Sequence, residues 1–147
     1  MADLNFAGSY DGLHLPYSPE AEQAVLGAII LESNTFDKVV DILKSPDYFY
    51  VSLHKLIFAQ MQEMVGLGLN IDFVTLLERL KQNKAFDEST GKSYLFDLVD
   101  NCPSISNAEE YAKIIAEKYN VRRLITASRE IIAVSYTHLT LPTILLV

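Results

Sequence analysis

The tripeptide Gly91-Lys92-Ser93 is the nearest approach in this 147-residue chain to a phosphate-binding loop, in which a lysine and a hydroxyl close on nucleotide phosphates. The rest of the pattern is missing. The earlier glycine that the loop requires falls at Phe86. The preceding residues also have a helical pattern, whereas the cradle of stacked amides follows a strand. The plainer reading is a polar loop from Asp87 to Gly91, with Gly91 freeing the backbone and Ser93 near the start of a helix. His14, His54 and His138 are scattered, with no carboxylate or cysteine at ligand spacing, so no metal site is predicted. His54 is expected to cap or pack beside the aromatic loop Tyr48-Phe49-Tyr50. Those aromatics read as core anchors, since a platform for stacking bases needs a basic groove around it. The acids Glu20 and Glu22, and the pair Glu109-Glu110, fall in first helical turns, where the helix dipole accounts for them. No catalytic residue and no cofactor-binding residue is predicted. Lys118, Arg122 and Arg123 form a small basic patch that could meet an acidic partner. Ordinary i,i+4 pairing, such as Glu117 with Lys113 or Arg123 near Tyr119, is the plainer alternative.

Composition narrows the classes further. A chain of this length buries enough surface for one domain with a real core, and half of its residues are apolar, so it is expected to fold. The formal net charge is -7 and the pI about 4.8, with no dense Lys/Arg stripe, which argues against direct nucleic-acid binding. The lone Cys102 excludes an internal disulfide and any multi-cysteine cage; it reads as a structural thiol in a reducing compartment. The first residues lack a basic start with an apolar run, and no stretch reaches membrane-spanning length, so no membrane association and a cytoplasmic location are expected.

The elements read as helices throughout. Residues 1–17 mix Gly, Asp, Ser and Pro without periodicity and read as a flexible lead-in. Ser18, Pro19 and the acids behind them specify a helix start, followed by an apolar stripe of Ala21, Ala24, Val25, Ala28, Ile29 and Leu31. A second helix, capped by Ser33 or Asn34, carries Phe36, Val39, Val40 and Leu43 on one face and ends near Lys44, ahead of Pro46. A third spans Ser52 to Met64 with Leu53, Leu56, Ile57, Gln60, Met61 and Met64 on one side, closed by Gly66 and Gly68. Asp72 stands as the cap of a fourth bearing Phe73, Leu76, Leu77 and Leu80, with Asn83 as its stop. A short fifth carries Tyr94, Leu95, Leu98 and Val99 and stops before Pro103.

The last helix, capped by Ser106 or Asn107, is predicted from Ala108 to Ala133, roughly 39 Å at 1.5 Å per residue. Its apolar residues Tyr111, Ile114, Ile115, Tyr119, Val121, Leu124, Ile125, Ile131 and Ile132 occupy more than one seam. One face can meet the preceding helices; the remainder needs a second partner. Residues 134–147, VSYTHLTLPTILLV, break the pattern: they carry no charge and are rich in β-branched types. The string VSYTHLTLP looks like the in-frame translation of a sequencing-library adapter, so this tail is expected not to be native and the chain to be a truncated piece.

Several stretches in this order carry a resemblance: EAEQAVLGAII from Glu20, DYFY at Asp47 and HKLIFAQM at His54. They are followed by NIDFVTLLERL at Asn70, GKSYLFDLVDNCPS at Gly91 and NAEEYAKIIAEKYNVRRLI at Asn107. Together, over roughly Leu15 to Ala133, they resemble the amino-terminal domain of the bacterial replicative DNA helicase, the DnaB family. The expected fold is all-α: a lead-in over 1–17, a head of about five short helices over 18–105, and a long helix over 106–133 that projects from the head. That long helix would be the first arm of a helical hairpin.

The resemblance implies a collar domain that pairs through its hairpins into a homo-oligomeric, hexameric ring and docks primase, with the helicase loader engaging elsewhere. It implies ATP and magnesium only for the missing ATPase domain, which would also be the part that meets DNA. Partner-binding residues are expected on the long helix at Tyr111, Ile114, Ile115, Lys118, Arg122 and Ile125. The alternative is a free-standing helical adaptor without ATPase activity. A phosphate loop following a strand, downstream in the gene, would distinguish the two.

Overall fold

The computed structural model describes residues 15–146, with side chains described to residue 137. His14, the side chain of His138 and most of the lead-in lie outside the described residues. Among the described residues there are six α-helices and no strand: α1 (Pro19–Leu31), α2 (Thr35–Val40), α3 (Ser52–Gly66), α4 (Phe73–Lys81), α5 (Glu88–Asp100) and α6 (Ala108–Leu146), with a 3-10 turn at Pro46–Tyr48. Contacts divide the chain into two units. One is 17–119; the other holds 120–146 together with Leu15 and Pro16.

Within 17–119, α1 is the central helix. Ser18 caps it by accepting from the Ala21 amide at 3.2 Å, and Pro19 opens it. Its contacts with α2, α3 and α5 bury nearly its whole circumference, Leu26, Gly27 and Ile30 as well as the predicted stripe, while Leu31 is exposed. A single-stripe reading fails because the helix is enclosed rather than half-submerged. Phe49, Phe58, Leu26, Ile29, Met61 and Leu80 are fully buried, and each such side chain contributes about 1.5–3 kcal/mol relative to exposure. Ala108, Ala112 and Ile115, from the first turns of α6, complete this core.

Three element boundaries and one cap differ from the sequence reading. α2 ends at Val40, although the Leu43 amide still bonds to the Val39 carbonyl at 2.8 Å and Leu43 is buried. Asn34 makes no side-chain cap, and Ser33 Oγ accepts the Ile71 amide instead. The stretch read as a loop before α5 is its cap and first turn. Asp87 accepts from the Ser89 amide at 3.1 Å, from Ser89 Oγ at 2.8 Å and from Thr90 Oγ1 at 3.0 Å. Finally, α6 does not stop at Ala133 but runs on to Leu146: every residue from Val134 to Leu141 has the amide that continues the ladder, and the helix carries Pro142 within its last two turns. The cap at Asp72 is as predicted, and Thr75 completes a reciprocal capping box. Leu15–Tyr17, read as lead-in, are engaged: the Tyr17 ring stacks on Tyr50 at 4.5 Å, and Arg122 donates to the Pro16 carbonyl at 3.0 Å. Among the described residues no helix is long and apolar enough to cross a membrane.

Candidate interaction site

The expected docking residues separate by burial. Ile115 belongs to the core of 17–119, and Ile125 is buried as well. Arg122 is 7% exposed, and its guanidinium is committed to the Pro16 carbonyl. These three side chains serve the chain itself, so the expectation that they face a partner fails on burial. Ile114 is exposed, and Tyr111 and Lys118 are half-exposed. Lys113, expected to pair with Glu117, instead bonds Glu110 one turn back at 3.0 Å.

Further along α6, within 120–146, exposed apolar side chains accumulate. Val121, Leu124, Ile131 and Ile132 lie at helical steps of three, seven and eight residues, with Leu124, Ile131 and Ile132 between 65 and 68% exposed. Along this helix Ile115 and Ile125 are buried, while Ile114, Leu124 and Ile131 are exposed. Leu124, Ile131 and Ile132 thus form an exposed apolar row along this stretch of α6.

The chemistry-bearing residues are structural. Gly91-Lys92-Ser93 lies inside α5, where the Gly91 amide bonds to the Asp87 carbonyl at 2.7 Å and so cannot face a phosphate. A Cβ at Gly91 would strike the Phe86 ring, which would have to shift to admit it. Cys102 is half-buried; burial pushes its thiol above the ordinary value, against a bond with the Ser104 backbone, so the nucleophilic thiolate is disfavoured. Among the described residues no group of three or more His, Cys, Asp and Glu could hold a metal.

One constellation escaped the sequence reading. Glu22 and His54 are both 1% exposed, and Glu22 Oε1 lies 2.7 Å from His54 Nδ1. The same carboxylate accepts the Tyr50 amide at 2.9 Å and the Val51 amide at 3.3 Å, serving the start of α3, where Val51 provides no side-chain cap. His54 Nε2 meets the Tyr94 hydroxyl at 2.5 Å, and Gln23 Nε2 donates to that hydroxyl at 3.3 Å. Burial, and the nearby carboxylates of Glu22 and Asp97, hold the Tyr94 phenol above its ordinary value, against the Gln23 bond. Glu22 is more than a dipole acid. Its spacing held the signal, since it shares a helical row with Val25, Leu26 and Ile29, the position of a buried side chain.

Residues 14–117 match the family described as "DnaB-like helicase N terminal domain". This chain belongs to that family. Among its relatives, it is 36% identical over 126 residues to the replicative DNA helicase DnaB of Pasteurella multocida, a stretch that covers 86% of this chain and 27% of that protein. It is 39% identical over 122 residues to the DnaB of Geobacillus stearothermophilus, covering 83% of this chain and 27% of that protein. The chain thus spans about a quarter of the length of these helicases. The fold matches the crystal structure of the N-terminal domain of DnaB helicase from Mycobacterium tuberculosis with a TM-score of 0.78 and 31% identity, covering 84% of this chain and 88% of that one. Five of the six stretches that carried the resemblance lie within the DnaB-like match, and apart from exposed residues such as Val74 and Phe96 their apolar residues line the core. The sixth, which begins at Asn107, runs past the end of the match along α6.

Proposed function

We propose that this chain is the N-terminal collar domain of a replicative DNA helicase. It assembles with copies of itself into the ring through α6, and it presents a docking surface for primase. In this reading the parent protein is cytoplasmic and unwinds duplex DNA with ATP and magnesium held in a separate ATPase domain. That domain, rather than this acidic one, meets the DNA, and the helicase loader engages outside the collar.

The observation that carries the reading is the exposed row Val121, Leu124, Ile131 and Ile132, which recurs at helical steps along a single helix. A helix surface of that kind is stabilised by a second helix laid along it. Tyr111, Ile114 and Lys118 remain as the expected residues with side chains accessible to primase. The test is biolayer interferometry of the 147-residue chain on immobilised bacterial primase. Binding is expected, and the double substitution Ile114→Asp, Lys118→Glu is expected to weaken it by about tenfold or more, equivalent to 1.4 kcal/mol. Absence of binding by the unsubstituted chain removes primase docking from the proposal.

A further inference from the structure

The line from Glu22 through His54 to Tyr94 runs from the interior to the edge of a groove, and elementary chemistry fixes the direction of each hydrogen bond. An ionised carboxylate only accepts, so Glu22 Oε1 at 2.7 Å requires the proton on His54 Nδ1. In the neutral imidazole Nε2 is then bare, and the Tyr94 hydroxyl 2.5 Å away donates to it. The phenol oxygen in turn accepts from Gln23. The Tyr94 proton therefore points inward, and this hydroxyl offers the groove only its oxygen lone pairs.

A proton added to the imidazole changes this order without breaking the line. Nε2 acquires a hydrogen and donates, the Tyr94 oxygen accepts, and the phenolic proton must turn away from the ring. Tyr94 is half-buried and lines a groove of about 320 Å³ with Glu20, Gln23, Asp97, Leu98 and Asn101, so the freed hydroxyl has water or Asp97 to turn toward. The ionisable side chains that face the imidazole are Glu22 from α1 and Tyr94 from α5, with Asp97 of α5 acting on the phenol and Glu20 of α1 on the groove rim. The segment ahead of α3 contributes to the cluster the amides of Tyr50 and Val51, held by Glu22, and the Phe49 ring, which meets the imidazole edge-on at 6.5 Å. A charged imidazolium would thus sit in an ion pair with Glu22.

We propose that this line is a proton switch: protonation of His54 reverses the His54–Tyr94 hydrogen bond and turns the Tyr94 hydroxyl from an acceptor into a donor toward the groove. With His54 neutral the Tyr94 hydroxyl can only accept from the groove; with His54 charged it can donate to a water or a carbonyl there. The covalent change is the Nε2–H bond, formed with a proton taken from hydronium, which leaves as water; every other change is a hydrogen bond. The switch concerns α1, α3 and α5 and is independent of the pairing face on α6.

Nitrogen NMR of the 147-residue chain from pH 8 to pH 5 tests it. At pH 8 His54 is expected as the Nδ1–H tautomer. On acidification, the His54 ring and the Gln23 side-chain amide are expected to shift with a common midpoint. Tyr94→Phe is expected to abolish the Gln23 movement while the rest of the amide spectrum is retained. An Nε2–H tautomer at pH 8, a Gln23 amide that stays still as the imidazole titrates, or an imidazole that never changes state over this range in the folded chain would each overturn the proposal.

Discussion

Gly27 of α1 faces the main-chain carbonyl of Leu98 on α5 so closely that a Cβ at residue 27 would collide with that oxygen. Two helix backbones touch here, and the obstacle is peptide rather than a side chain that could swing aside. Gly27→Ala is expected to destabilise the fold by about 1–3 kcal/mol, the scale of overpacking a closed core. Gly66 is the control: it ends α3 with nothing within 4 Å of where a methyl group would sit, so Gly66→Ala is expected to be neutral or slightly stabilising. Urea denaturation of both variants checks the pair.

Glu22→Ala strands the Tyr50 and Val51 amides and the His54 Nδ1–H, all of which end on this one carboxylate. The expected loss is about 3 kcal/mol or more, the scale of leaving buried polar partners unpaired. Glu22→Gln keeps one accepting oxygen and is expected to cost less. Thermal melts give the order: wild type most stable, then Gln, then Ala.

Asp87 gives the acid limb of stability a specific source. The Ser89 hydroxyl first, then the Ser89 amide and the Thr90 hydroxyl, hold its carboxyl below the ordinary aspartate range. A folded pKa below the unfolded one means that the contribution is present above the unfolded value of about 3.9 and disappears as pH falls through the folded value. Asp87→Asn is therefore expected to lower the melting temperature slightly near pH 7, and the difference from the wild type is expected to close as pH falls below about 4, which flattens the acid limb. Melting temperatures collected from pH 2 to 7 decide it.

How far the sequence could be read depended on how local each signal was. The caps at Ser18 and Asp72 and the buried row Leu76, Leu77 and Leu80 were legible because each involves residues within one or two turns. The start of α5 was misjudged because Asp, Ser and Thr favour loops and caps equally, and only the hydroxyl bonds to Asp87 separate the two. The enclosure of α1 depends on α2, α3 and α5 all reaching it, which periodicity cannot report. The Glu22–His54–Tyr94 line joins positions 32 and 40 residues apart, and its only local trace was an acid on an apolar row. Among the expected docking residues, Arg122 looked like part of a surface patch, yet its partner is the carbonyl of Pro16, 106 residues earlier.

The exposed row on α6 is the part of the fold with the plainest consequence for assembly. Leu124 and Ile132 are 67% and 68% exposed, so Leu124→Asp with Ile132→Asp is expected to leave folding stability within about 0.5 kcal/mol per site while removing a surface that another helix could cover. Sedimentation velocity on the chain and on this double variant, over a hundredfold range of concentration, is the most direct test of assembly through α6. The unsubstituted chain is expected to associate as concentration rises, and the double variant to remain a monomer throughout. A wild-type chain that stays monomeric over the whole range, or a double variant that associates equally well, would contradict the assignment of α6 as the pairing face.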